Sequence, residues 1–274
     1  MDWAKAKNIL ILLLLALNTL LAALLIIRYT GGTDGKLYAN VANILLERGI
    51  TLKCEFPKKI TDSGLLKYGD GARYVENCAK ILFNNGGEAA RIEMLGRESV
   101  RYENAGPGEN LNTTTSQTLD SDIRRTFTEW GIDLSGFITD YTAETGGGGH
   151  YFNYIYVYGG KPVFDNNISV AVNKDGGITE ATVSYREIKS ASGDSLMKVV
   201  PAYQVILKNY YESGDVIASI DIGFMGQNTA RDNPFVESEE GAVWRVKLED
   251  GSERFFEATY GDEIFHPMPL QLSG

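Results

Sequence analysis

The residue types that most often carry chemistry are rare in this chain. It has two histidines, His150 and His266, and two cysteines, Cys54 and Cys78. The histidines stand beside a glycine run and a proline, which is typical of loops, and no Cys/His spacing matches a zinc site. Outside the cytoplasm the two cysteines could form one disulfide, or they could stay as two buried thiols. The sequence therefore predicts neither a metal nor a cofactor.

Patterns for nucleophilic and acid–base catalysis give no better signal. There is no G-x-S-x-G elbow, and the glycine run at 146–149 lacks the GK[ST] ending of a phosphate loop. Neighbouring carboxylates, such as Asp120 with Asp122, are common on any acidic surface. We therefore expect a protein that is not an enzyme and has no identifiable small-molecule ligand.

A stronger functional signal comes from four residues in the first apolar segment. Asn18, Thr19, Ala22 and Ala23 fall at positions i, i+1, i+4 and i+5, so they share one face of a helix. Small residues let a second membrane helix approach closely, and a buried amide gains from a hydrogen bond across the interface. We call these four residues the anchor face and predict that it packs against a partner helix. The alternative is that this face arose by chance and contacts lipid.

The segment that carries the anchor face has the length of a membrane span. Nineteen residues from Ile9 to Ile27 carry no charge, and at about 1.5 Å each they extend over about 28 Å, roughly a bilayer's hydrocarbon core. Aromatic and basic residues flank this run, as they do at membrane interfaces. We predict a transmembrane helix over 8–29. Its membrane-interface residues are Trp3, Lys5, Lys7, Arg28 and Tyr29.

The same charges predict the orientation of the chain. Lys5 and Lys7 precede the span and only Arg28 follows it, so the positive-inside rule places the tail 1–7 in the cytoplasm and the rest outside. A cleaved signal peptide is the alternative. Its apolar core is usually about 7–15 residues and ends at a small-residue site, whereas this run continues through 24–27. We expect a single-pass protein of the cell membrane.

The charge balance bounds the partners of the exterior region. The formal net charge is −10, and residues 1–30 contribute three cations and one anion, a net +2, which leaves −12 for the remainder. A surface this acidic repels nucleic acids and anionic headgroups, so we predict no nucleic-acid role. The fifteen tyrosines and eleven phenylalanines suit β-rich structure.

The exterior region is predicted to be α+β, with antiparallel sheets each covered by helices, in two lobes. A linker over 30–36 leads to the first lobe, 37–105, with helices over 37–48 and 72–83 and strands over 50–56, 89–95 and 99–102. Residues 106–118 lack an apolar period and read as a loop or linker, after which Asp120 or Ser121 caps a helix.

The second lobe, 119–274, shows clearer strand signals. Gly159-Gly160 joins a strand over 151–158 to one over 161–164, and strands over 168–173 and 178–185 form a second hairpin. A helix over 195–211 follows, with Leu196 and Tyr210 among its inward residues. Strands over 216–225, 243–248, 254–258 and 263–265 complete the prediction.

The opening Met1-Asp2-Trp3-Ala4-Lys5-Ala6-Lys7, which leads straight into the apolar run, resembles the start of YycI proteins, typically M-D-W-S-K-x-K. The downstream order is similar to the C-terminal part of the YycH/YycI family and to PepSY-type repeats. That order is Tyr203 on a helix, Ile222-Gly223-Phe224 ending a strand, Trp244-Arg245-Val246, Gly251, Ala258, Gly261 and Glu263. Ala4 in place of serine, the glycine run at 146–149 and the two cysteines depart from the family pattern.

This resemblance implies a non-catalytic accessory protein of a WalK-type sensor histidine kinase, acting with a YycH-like single-pass protein in the control of cell-wall metabolism. It implies transmembrane and extracellular contacts with those partners. Two alternatives stay open. One is an anchored PepSY-like inhibitor or binding module for an extracellular peptidase, and the other is an anchored cell-wall enzyme that uses scattered carboxylates.

Overall fold

The structure is a computed structural model that describes residues 3, 7, 11–21, 33–57, 60–106, 111–145, 147–226 and 238–264. The chain divides into two compact units. The first comprises 1–52 and 211–216, and the second comprises 53–210 and 217–274. The described residues confirm the α+β class. The predicted lobe boundary at 106–118 stays a prediction, although strands from either side of it share one sheet.

In the first unit, residues 11–21 are helical and helix α1 spans Thr33–Glu47. Val41 and Leu45 are buried one turn apart on α1, which agrees with the apolar period in the sequence. The chain then turns at Gly49, whose positive φ of 79° suits glycine, and enters the short strand β1, Thr51–Leu52. The amide of Thr51 donates to the carbonyl of Asp215.

The described residues of the second unit form three helices and most of the strands. The helices are α2, Ala72–Asn85; α3, Ser116–Trp130; and α4, Ala202–Lys208. The strands before α4 are β2, Asp62–Tyr68; β3, Ala90–Met94; β4, Ser99–Asn104; β5, Phe137–Thr145; β6, Gly149–Tyr158; β7, Lys161–Val172; β8, Ile178–Ser184; and β9, Ile188–Lys198. Those after it are β10, Val216–Phe224; β11, Ser238–Glu240; β12, Ala242–Leu248; β13, Glu253–Glu257; and β14, Glu263–Ile264.

These strands form two sheets. The main sheet has the order β14-β13-β12-β10-β7-β8-β4-β3, with β6 paired to β7 and β5 paired to β6. A smaller sheet has the order β11-β2-β9. Among the described pairings of β2 to β14, that of β10 with β7, at Phe224 and Val163, is parallel and the others are antiparallel. Gly159 and Gly160 both have positive φ and close the tight β6–β7 hairpin, as predicted.

A large hydrophobic core lies where α2 and α3 cover one face of the main sheet. Ile123 and Phe127 of α3 pack there with Val75 and Leu82 of α2. The sheet contributes alternate residues of β4, β8, β7 and β6, including Val100, Val183, Val170 and Phe152. This alternation follows from the period of two along each strand. It also makes the two helices and these four strands one packed body around β7.

The predicted helix over 195–211 is wrong in its first half. Residues 188–198 form β9, which pairs with β2, and the helix covers only Ala202–Lys208. Pro201 precedes the helix, where its missing N–H costs nothing. Leu196 and Tyr210, predicted to point inward, are 64% and 78% exposed. Residues 195–198, which have the S-x-x-K spacing of some serine enzymes, therefore lie in a strand.

Several smaller predictions also need correction. The predicted linker over 30–36 ends earlier, because α1 begins at Thr33. The predicted strand over 50–56 is reduced to β1, and the two strands over 161–164 and 168–173 are one strand, β7. The loop at 106–118 ends at Thr115, whose hydroxyl accepts from the Thr118 amide in a capping box, so neither Asp120 nor Ser121 caps α3. Strands β2, β5 and β11 were not predicted.

Candidate protein-interaction surfaces

The described part of the predicted anchor is helical and exposed. Residues 11–21 form a helix whose apolar side chains are about half exposed or more, and Trp3 is 83% exposed. Lys7 is exposed as well. Among the residues that the structure describes, no helix has the length and apolarity needed to cross a membrane. Lys5, Ala22, Ala23, Arg28 and Tyr29 lie outside the described residues, so the span over 8–29 stays a prediction.

The two described residues of the anchor face differ in how their polar atoms are satisfied. The hydroxyl of Thr19 donates within its own helix, to the carbonyls of Leu15 (3.1 Å) and Ala16 (2.9 Å). Asn18 is exposed, and its side-chain amide has no hydrogen-bond partner in the described structure. An unpaired amide is costly in hydrocarbon. Asn18 is therefore the residue of the anchor face with most to gain from a partner.

A second surface is the edge strand β5, which pairs only with β6 in the described part of the sheet. Most of its residues are exposed, including Ile138 at 52% and Tyr141 at 41%. The rings of Tyr141 and Tyr151 lie 5.6 Å apart, which supports the outer side of the hairpin. An edge strand presents unpaired backbone groups that another strand can pair with, so β5 is a candidate surface for a protein partner.

A bulge in β5 turns Asp140 away from this edge and into the protein. The β5–β6 register shifts between Thr139 and Tyr141, and the side chain of Asp140 is only 7% exposed. Arg245 of β12 donates to both oxygens of Asp140, at 2.8 and 2.9 Å. Bulges commonly re-aim a side chain in this way. The result is a link between the β5–β6 hairpin and the C-terminal strands.

Arg245 is the centre of this network, which we call the Arg245 network: Asp140, Asp221, Arg245, Lys247 and Glu253. Arg245 also donates to both oxygens of Asp221, at 3.0 and 2.8 Å, while Lys247 donates to Asp140 at 2.6 Å and pairs with Glu253 at 3.1 Å. The guanidinium lies 4.4 Å from the ring centre of Phe164. Bidentate pairing and ring stacking fix the planar group in one orientation.

Two opposing effects set the pKa of Asp140. Burial alone would raise the pKa of this carboxyl, but the hydrogen bonds and charges of Arg245 and Lys247 outweigh burial and hold it below the ordinary value. Burial also opposes the charge on Arg245, and the two carboxylates more than offset it, so the pKa of the guanidinium is raised. Both shifts favour the charged forms of Asp140 and Arg245, and the network is a structural clamp on β5.

The other side of β5 is held by α3. Arg124 donates to the carbonyls of Leu134 (3.3 Å) and Phe137 (3.1 Å) and to the hydroxyl of Thr139 (3.0 Å). That hydroxyl in turn donates to Asp120, which also pairs with Arg124. Strand β5 is thus fixed by charged groups from a helix and from a distant strand. A fixed edge binds a partner with less loss of conformational entropy than a mobile one.

A separate polar cluster supports the long strand β7. Phe164, Asp165 and Asn166 lie in an irregularity where the β6–β7 register shifts, and all three are buried. Asn166 exchanges two hydrogen bonds of 2.8 Å with the backbone of Arg186. Asp165 accepts from the amide of Gly226 at 3.0 Å. These contacts give the cluster a structural role, since they replace the missing ladder bonds of the irregular strand.

The structure places the two cysteines as free thiols. Cys78 is buried and Cys54 is half-buried. Burial raises the pKa of both, that of Cys78 to about 11 despite a hydrogen bond from Tyr74 that lowers it. The disulfide remains a prediction. His150 lies on β6, half-buried, and His266 lies outside the described residues.

The chain matches no known family profile and no curated protein. Among solved structures, it is similar to an uncharacterized protein from Eubacterium rectale ATCC 33656, with a TM-score of 0.51 and 11% identity over 84% of this chain and 99% of the other. This likeness shows a shared fold alone. The chain also aligns with the Bacillus megaterium YpeB C-terminal domain at a TM-score of 0.37 and 11% identity, over 71% and 94% of the chains. That score is too low for an inference about fold or function.

Sequence reasoning missed the β5 surface for a physical reason. Its nine residues are FITDYTAET. Phe137 is buried and the side chain of Asp140 is 7% exposed, while most of the others are exposed, so no clean alternation marks a strand. The bulge at Asp140 breaks what alternation there is. The one available signal was the aromatic and β-branched content of this stretch.

Proposed function

We propose that the chain is a non-catalytic, membrane-anchored regulator that binds a WalK-type sensor histidine kinase together with a YycH-like single-pass protein. The resemblance of the first seven residues to YycI proteins supports this proposal, as does the apolar run that follows them. The tail 1–7 lies in the cytoplasm and the region after 29 lies outside the cell.

The observation that carries the proposal is the side-chain amide of Asn18, which has no hydrogen-bond partner among the described residues. Thr19 satisfies its hydroxyl within its own helix, whereas Asn18 does not. An amide of this kind in a membrane pairs with a neighbouring helix, and Ala22 allows that helix to come close. The anchor is therefore part of the binding surface and does more than tether the chain.

The exterior contact forms at β5. Its open edge accepts an extended segment of the partner's exterior domain, and the exposed side chains of Ile138 and Tyr141 contact that segment. The partner's two signalling states differ in how well they present this segment. Preferential binding to one state shifts the kinase toward it, which is sufficient for regulation of either sign.

The test is to exchange the anchor while keeping the chain in the membrane. Asn18→Leu with Ala22→Leu removes the polar and small groups, and Leu13→Ile is the matched control on another face. We expect the double variant to change kinase autophosphorylation in native membranes, with expression and orientation unaltered, and the control to leave it unchanged. Unaltered kinase output in the double variant would contradict packing through the anchor face. A chain that instead copurifies with an extracellular peptidase would favour the peptidase-binding alternative.

A further inference from the structure

The described helix of the anchor carries a second pattern that the anchor face does not account for. Ile11, Leu14, Asn18 and Leu21 are separated by three, four and three residues, which are the a, d, a and d positions of a heptad. We call them the heptad seam. Its three apolar members are 50%, 51% and 49% exposed, so nothing in the described structure covers them.

We propose that this seam pairs with the same seam of a second copy of the chain to form a parallel two-helix anchor in the membrane. The inference rests on the proposed membrane span. A β-branched residue at a with leucine at d is the combination that favours two parallel strands. A single asparagine at an a position fixes the register and the number of helices. In hydrocarbon its hydrogen bond across the interface also strengthens the association.

The chemistry of Asn18 suits a second copy of the chain. Its amide carries both signs of partial charge, a donor NH₂ and an acceptor oxygen, so two such groups are complementary to each other. Two copies with the same orientation place Asn18 at the same depth, so that each amide meets its own counterpart across the two-fold axis. No second sequence is needed to satisfy the group.

Thr19 provides an internal comparison. It falls at a b position, beside the seam, and its hydroxyl already bonds to Leu15 and Ala16 of its own helix. Of the anchor face, only Asn18 belongs to the seam. A partner helix that takes Asn18 therefore competes with the second copy, and the two associations are linked through one residue.

The first experiment measures self-association of the full purified chain, labelled at its C-terminus with donor or acceptor dyes, in neutral phosphatidylcholine vesicles. Energy transfer is followed as the lipid-to-protein ratio rises. Asn18→Leu is expected to weaken association about three- to tenfold, and Asn18→Gln to restore most of it. The matched control combines Asn18→Leu with Leu20→Asn, which keeps the composition but moves the amide to a c position. Its self-association is expected to be as weak as that of Asn18→Leu.

The second experiment locates the contact. In a chain carrying Cys54→Ala and Cys78→Ala, Leu14→Cys is expected to form interchain disulfides in the same vesicles, whereas Leu13→Cys forms few. Equal cross-linking at both positions, or association of the moved-amide control as strong as the parent, would overturn the seam. A chain that floats with the vesicles but shows no energy transfer overturns the dimer alone. A chain that does not float overturns the dimer and the proposed anchor together.

Discussion

Replacement of Arg245 by methionine should strongly destabilise the second unit. Arg245 is 3% exposed, and its guanidinium makes four hydrogen bonds of 2.8–3.0 Å to Asp140 and Asp221. Loss of one partner from a buried ion pair costs about 3–5 kcal/mol, because the remaining charge is left desolvated. Asp221 is 36% exposed and can recover water, and Lys247 still contacts Asp140. The penalty thus falls on one carboxylate, and we expect about 3 kcal/mol.

The assay is urea unfolding of the full chain in mild detergent, followed by tryptophan fluorescence. With a slope of about 3 kcal/mol per molar urea for a domain of this size, the midpoint should fall by about 1 M. The control is Arg97→Met, whose partner Asp70 lies at 2.9 Å but with both side chains about half exposed. Exposed pairs contribute about 0–1 kcal/mol. Equal effects of the two substitutions would refute the view that burial makes the Arg245 network important.

The same network predicts a pH dependence. The folded pKa of Asp140 lies below its unfolded value of about 3.9, so its contribution to stability is fully present above that value. It is lost as the pH falls from about 3.9 through the folded pKa. The difference in unfolding free energy between the parent chain and Asp140→Asn should therefore be constant from pH 5 upward and shrink below about pH 4. A constant difference down to pH 2 would contradict the proposed charge pairing.

Three further predictions concern the second unit. In Gly226→Ala the added Cβ would overlap Arg186 and approach Asp165, so we expect a loss of about 1–3 kcal/mol in urea unfolding, and an unchanged midpoint would contradict that packing. Thr115→Ala removes the α3 capping box and should lower the free energy of unfolding by about 1 kcal/mol, whereas Thr115→Ser should lower it far less. Equal losses in the two variants would argue against the cap. Maleimide at pH 7.5 should label Cys54 faster than Cys78, because the Cys78 thiol is buried and has a pKa of about 11. If neither cysteine is labelled until a reductant is added, the two form a disulfide.

The parts of the fold that the sequence predicted are those set by local pattern. Helix α2 follows from the helical spacing of its apolar residues. The β6–β7 hairpin follows from the turn residues Gly159-Gly160. Strand β9 was not predicted, because the spacing of its apolar residues also fits a helix. Whether this segment forms a strand depends on its pairing with β2, more than 100 residues earlier. Tertiary pairing overrode the local preference there.

The candidate surfaces divide in the same way. Asn18 could be singled out from the sequence, because a lone amide in an apolar run needs no tertiary information to be noticed. The β5 edge could not, since Asp140 and Arg245 are 105 residues apart and nothing in either local sequence indicates the other. Long-range charge pairs of this kind appear only when the strand order is known.

The central claim is that the anchor itself binds the signalling partners, and the most direct measurement is purification of the full chain from its native membrane in mild detergent. A matched chain in which residues 9–27 are replaced by an unrelated membrane helix is purified in parallel. We predict that a sensor histidine kinase and a second single-pass protein accompany the full chain and are largely lost from the matched chain. Equal recovery with both chains, or recovery of neither partner with the full chain, would contradict the claim.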